Sequence, residues 1–203
     1  MGSDSLDSII EHPCPICSSN EGLKMTVHID EIPYFGEHTQ ITLACESCGW
    51  RRTDFIPAES KGSVGNSIVI GPDTLNARVI RGSNGTIRIP ELGLEVEPGT
   101  ASSGYISNVE GVLTRFRDTI RMLDRSFDES KDSPEEKERI NFLLEALESS
   151  LSGDETSISL VILDPLGHSG ILHPDTKEWT LSDDEIDQLT LSPEIPIMEI
   201  DSD

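Results

Sequence analysis

The sequence predicts a mainly β protein with a helical insertion: an N-terminal four-cysteine ribbon, then a β-domain carrying an α-helical hairpin. Three observations predict it. All four cysteines fall in two C-x-x-C pairs near the N-terminus. Short segments of alternating polarity, broken by glycine and proline, follow them. Between residues 107 and 152 the apolar spacing changes to a helical period, and alternation then resumes.

The ribbon rests on Cys14-Pro-Ile-Cys17 and Cys45-Glu-Ser-Cys48-Gly49, with 27 residues between the pairs. Each C-x-x-C sets two thiolates on one tight turn, and two such turns close a tetrahedron around zinc. Four sulfurs fill the coordination sphere, so the predicted role of a single Zn²⁺ held by Cys14, Cys17, Cys45 and Cys48 is structural. Two disulfides are the alternative, and a reducing compartment weighs against them. Gly49 suits a bend with positive φ. Between the pairs, Leu23, Met25, Val27 and Ile29 alternate with Lys24, Thr26, His28 and Asp30, and Ile41 and Leu43 continue the pattern after a turn around Gly36. His12, His28 and His38 are read as surface or strand residues rather than ligands.

From Phe55 to Val96 the expected strands are Ser67–Ile70, Leu75–Ile80, Thr86–Ile89 and Leu92–Val96, with Asn84-Gly85 as a two-residue hairpin turn. Val109, Val112, Leu113, Phe116, Ile120, Leu123 and Phe127 then mark a helix, opened by a capping box Ser107-x-x-Glu110. Ser133-Pro134-Glu135-Glu136 starts a second helix with Ile140, Leu143, Leu144, Leu147 and Leu151 on its apolar face, and Gly153 ends it. A short loop between the two predicts antiparallel packing, with both stripes buried as core. Ile158, Leu160 and Ile162 resume a strand, followed by His168–Leu172. The predicted organisation is an N-terminal segment and ribbon over 1–54, a β-domain over 55–182 with a helical hairpin inserted at 107–152, and an acidic tail over 183–203. There is no glycine-rich phosphate loop and no internal repeat.

The 203-residue chain carries 38 acidic and 15 basic residues, for a formal net charge of −23. Nucleic acid and anionic membrane surfaces repel such a chain, so both are poor partners. Residues 154–203 hold thirteen acids against one base, about half the excess. The stretch from Asp183 to Asp203, with eight acids and no base, reads as an interaction or solubilising tail. No apolar run is long enough to span a membrane, and the first residues lack the basic and apolar regions of a secretory signal. A soluble, cytoplasmic protein is expected.

Asp164-Pro-Leu-Gly-His168-Ser169 contains the letters of a hydrolytic triad, but within one hexapeptide they cannot form the relay. His168 and His173 make a weak metal pair. No enzymatic set of acid, base and nucleophile is found. Tyr34 and Phe35, adjacent in the link between the ribbon strands, are candidates for protein contact. Glu37, two residues on, and Arg51, after the second knuckle, are further candidates. Arg51 and Arg52 after the second knuckle leave open an alternative, a nucleic-acid-binding ribbon of transcription or translation.

Seven ordered motifs resemble the ZPR-type zinc-finger proteins. They are Cys14-Pro-x-Cys17, Ile32-Pro33-Tyr34-Phe35-x-Glu37, Cys45-x-x-Cys48-Gly49, Arg78-Val79-x-Arg81, Ile89-Pro90-Glu91-Leu92, Asn108-Val109-Glu110-Gly111-Val112-Leu113 and Asp164-Pro165-Leu166-Gly167-His168-Ser169. Eukaryotic members carry two zinc-plus-β modules; this chain resembles the single-module archaeal members. The resemblance implies a double-stranded β-helix after the ribbon. It also implies a partner, translation elongation factor 1-alpha, whose folding or biogenesis the family assists. The basic tRNA-binding surface of that factor complements an acidic protein.

Overall fold

The computed structural model describes residues 5–32, 36–58, 62–99, 102–128, 133–154 and 157–191. Its first sheet is antiparallel, in the order β1 (Ser5–Ile10), β2 (Leu23–Ile32), β3 (Gly36–Ala44) and β4 (Arg51–Pro57). The alternation after Leu23 accounts for β2. The edge strand β1 lies in a segment with no regular alternation, Ser-Leu-Asp-Ser-Ile-Ile, and was not expected from the sequence. Its pairing with β2, from Ser5↔His28 to Ile10↔Leu23, supplies the order that its pattern lacks.

Eight further strands form two facing sheets. One runs β12 (Lys177–Thr180), β5 (Val64–Val69), β10 (Ser159–Asp164), β7 (Thr86–Ile89), β8 (Leu94–Val96); the other runs β11 (Gly170–Leu172), β6 (Arg78–Arg81), β9 (Tyr105–Asn108). This is a jelly-roll arrangement, which limits exposed strand edges by stacking two sheets. Ile68, Val79, Ile87, Leu160, Ile162 and Ile171 are all buried in the shared core.

Three sequence expectations are corrected here. The strand expected at Leu75 begins only at Arg78. The preceding residues turn around Thr74, whose hydroxyl donates to the Val69 carbonyl at 2.8 Å and accepts from the Gly71 N–H at 2.9 Å. Leu92 belongs to a single 3₁₀ turn, Pro90–Leu92, started by the proline, and the strand follows at Leu94. Asn84-Gly85 does not close a hairpin. The tight turn runs from Gly82 to Gly85 (Gly85 N–H to Gly82 O, 3.1 Å), and β6 and β7 on either side of it belong to different sheets.

Helices α1 (Val109–Ser126) and α2 (Pro134–Leu151) lie between β9 and β10 in the chain. The α1 cap is Asn108, not Ser107: its side chain accepts from the Gly111 N–H at 2.8 Å. Ser133 and Glu136 form the capping box that starts α2. Arg121 pairs with Glu148 and Asp124 with Lys137, so rising number on one helix meets falling number on the other, and the hairpin is antiparallel. Val112, Leu113, Phe116, Ile120, Leu143 and Leu147 are buried in the jelly-roll core, as expected of core stripes. The stripe stops short at Leu123, which is 51% exposed. Within the stretch expected to be tail, Asp183–Asp187 forms a short helix, α3, with Ser182 and Glu185 as its capping box.

Candidate metal centre

The four cysteine sulfurs lie within 4.8 Å of one another. Cys14 Sγ is 3.7 Å from Cys48 Sγ, and Cys17 Sγ is 3.7 Å from Cys45 Sγ. Four ligands at about 2.3 Å from a tetrahedral zinc would stand roughly 3.8 Å apart. The donor set and its spacing therefore fit such an ion.

The two knuckles share one backbone plan. The Cys14 N–H donates to Ser19 O and the Ser18 N–H to Cys14 O; in the second, the Cys45 N–H donates to Trp50 O and the Gly49 N–H to Cys45 O. The residue four past the first cysteine takes positive φ in both, Ser18 at 56° and Gly49 at 75°. The glycine signal was visible in sequence; its serine counterpart was not, because serine rarely adopts that conformation. Cys14 and Cys45 are buried with Leu23, and Trp50 packs against them. Cys17 and Cys48 are exposed.

Crowding the thiols separates their acidities. Burial raises the Cys14 pKa, but the Cys17 and Ile16 N–H groups and the neighbouring thiols outweigh it and bring it down to about 7. The Trp50 N–H lowers that of Cys48, yet burial and the other three thiols push it up to about 12. Four like groups at this spacing resist holding four negative charges together, and a dication removes that resistance.

The other candidate residues separate. Tyr34 and Phe35 lie outside the described residues. Glu37 is exposed on β3 and Arg51 is exposed at the start of β4. Arg52 points to the opposite face from Arg51 and is only 7% exposed. It therefore adds nothing to an exposed basic patch. Its guanidinium donates to Ser83 Oγ at 3.0 Å. Ser83 Oγ donates to Asp54 Oδ2 at 2.6 Å, and the Ser83 N–H donates to Asp54 Oδ1 at 2.9 Å. Burial lowers the Arg52 pKa, and the charge of Asp54 opposes the shift.

This polar junction joins the ribbon to the jelly roll, and sequence reasoning missed it because its bonds are long-range. On its far side Asp164 is fully buried; it accepts from Ser169 Oγ at 2.5 Å and from the Leu166 N–H at 2.9 Å. Ser169 Oγ in turn accepts from the Gly82 N–H. A side chain at Gly82 would meet His168 Cβ at 2.7 Å and Asp164 Oδ2 at 2.9 Å, so the turn at 82–85 sits directly on the 164–169 loop. His168 Nδ1 stands 4.0 Å from Asp54 rather than between Asp164 and Ser169, so no relay forms. His173 faces Asp175. His38 is buried beside the Phe55 ring, on a strand as expected.

No described helix is long and apolar enough to cross a membrane. The family model for the ZPR1 jelly-roll domain matches residues 73–188. A ZPR1-like protein of Methanocaldococcus jannaschii is 36% identical over 185 residues, covering 91% of each chain. One of Pyrococcus horikoshii is 37% identical, covering 91% of this chain and 82% of its own. The zinc finger chaperone zpr1 of Schizosaccharomyces pombe is 28% identical over 165 residues, 80% of this chain but 34% of its own. The chain thus spans about a third of that eukaryotic relative. The names of these relatives are those of ZPR1-like proteins, zinc fingers or chaperones, not of enzymes.

Proposed function

Because the chain belongs to the ZPR1 zinc-finger family, we propose that it is a zinc-stabilised protein-binding module that binds translation elongation factor 1-alpha and assists its folding. One Zn²⁺, held by Cys14, Cys17, Cys45 and Cys48, would cross-link the two knuckles and supply folding free energy rather than chemistry. The ribbon over 1–54 is the binding element, and the jelly roll with its helical hairpin is the scaffold.

The observation that carries this reading is the closed four-sulfur cluster. It leaves no open position for a reacting water and anchors an acidic ribbon tip that displays Glu37. The chaperone name of the fission-yeast relative supports the activity. The net charge of −23 supports a partner with a basic surface and disfavours the nucleic-acid alternative. Tyr34 and Phe35 are proposed to contact the factor together with Glu37; Arg51, on the other face at the sulfur end of the sheet, would meet a separate part of the partner.

The test is low-salt calorimetry of the zinc-loaded chain against purified elongation factor 1-alpha. One-to-one binding that weakens as salt rises is expected, and no detectable heat at micromolar concentrations refutes the reading. Tyr34→Ala with Phe35→Ala should weaken binding about tenfold or more. Unchanged affinity with zinc still bound would remove that loop from the contact.

A further inference from the structure

The ribbon register assigns alternate residues to two faces of the sheet. Leu6↔Val27, Val27↔Ile41 and Ile41↔Asp54 lie on one face, and so do Ile29↔Thr39 and Thr39↔Ile56. At the sulfur end of this face Leu23 and Leu43 are buried. Toward the other end the apolar surface opens: Leu6 is 65% exposed and Ile29 51%. Val27, Ile41 and Ile56 are half-buried. The described chain covers this face at Leu23, Leu43 and Arg52 and leaves it open around Leu6 and Ile29.

The exposed charges on the same face have one sign. Glu31 and Glu37 are direct cross-strand partners, and both are exposed. Like charges directly opposite in a sheet are destabilising. Asp54 also lies on this face, but its carboxylate accepts from the Ser83 hydroxyl and N–H and belongs to the junction. Arg52, the base that the register places here, is buried and turned to Ser83. Among the described residues, no basic side chain pairs with Glu31 or Glu37 at the end of this apolar strip.

We propose that this face docks a basic amphipathic segment of a protein partner. Its apolar side chains would lie on Leu6, Val27, Ile29, Ile41 and Ile56, and its lysines or arginines would reach Glu31 and Glu37. The proposal rests on the reading of the ribbon as the binding element and deepens it by naming the face and the chemistry it selects. A nucleic-acid backbone would bring phosphate onto the two glutamates and is repelled.

The probe is a fluorescent peptide of alternating lysine and leucine, with a glutamate and leucine peptide as its counterpart, titrated into the zinc-loaded full chain by anisotropy. The basic peptide is expected to bind at least about tenfold more tightly than the acidic one. Ile29→Ser, and separately Glu31→Lys with Glu37→Lys, should each weaken it about tenfold or more with circular dichroism and zinc content unchanged. Asp183→Lys with Asp184→Lys makes the same charge change on α3 and should leave affinity within about twofold. If Ile29→Ser loses zinc, Val27→Thr serves in its place.

Equal binding of the two peptides, or equal loss in the α3 variant, overturns the proposal. So does a concentration-dependent dimer in sedimentation that Ile29→Ser dissolves, because the face then belongs to a second copy. If the basic peptide binds at this face and elongation factor 1-alpha does not bind at all, the docking face stands and the proposed client falls. If the factor binds and the face variants do not affect either probe, the reverse holds.

Discussion

Replacing Ser83 with alanine should cost the protein more than any change on the ribbon surface. The hydroxyl is fully buried, accepts from Arg52 at 3.0 Å and donates to Asp54 at 2.6 Å. Both partners are charged, and hydrogen bonds to charged groups contribute about 1.5–3 kcal/mol each. Asp54 keeps the Ser83 and Phe55 N–H groups, which limits the loss on its side. Arg52, 7% exposed, has less access to replacement water. The expected total is about 2–3 kcal/mol. For a chain of this size that lowers the melting midpoint by roughly 5–10 °C. The assay is calorimetric or circular-dichroism melting of the zinc-loaded protein. Glu145→Ala, exposed on α2, serves as the control and should shift stability by less than about 0.5 kcal/mol. A Ser83→Ala midpoint indistinguishable from the parent would show that the junction does not hold the ribbon to the jelly roll.

Other outcomes follow from single contacts. Gly82→Ala forces a methyl against His168 and Asp164 and should destabilise by about 1–3 kcal/mol, read by urea denaturation. Asn108→Ala removes the α1 cap and should cost about 1 kcal/mol in the same assay, with Asn108→Asp recovering most of it. Zinc uptake must displace protons from thiols such as Cys48, pushed up to about 12, so apparent affinity should rise with pH. Chelator competition at mildly acidic and mildly basic pH checks the sign, and tighter binding in acid would contradict it.

The cysteine spacing was readable because metal ligation demands particular residue types at short separations. The helical hairpin was readable for a similar reason, since its period and caps are local. The jelly-roll core strands, such as Leu160 and Ile162 in β10, declared themselves by alternation. What escaped was long-range. The polar junction depends on Asp54, Ser83, Asp164 and Ser169, which approach one another only through the fold. Alternation from Leu23 to Asp30 separated the two faces of β2 without telling which face the rest of the chain would cover. Strand β1 has too irregular a pattern to stand alone and is recruited by β2. The cap of α1 moved by one residue because asparagine at 108 competes with serine at 107 for the same N–H groups.

A zinc-held ribbon is proposed as the element that engages the partner. The most direct measurement is titration of purified elongation factor 1-alpha with the same preparation before and after zinc removal, with metal content determined alongside. One zinc per chain is expected, with binding by the loaded protein and loss of binding together with ribbon order on chelation, both restored by zinc. Binding that survives zinc removal, or chelated and loaded proteins with superimposable circular dichroism and melting curves, would contradict it.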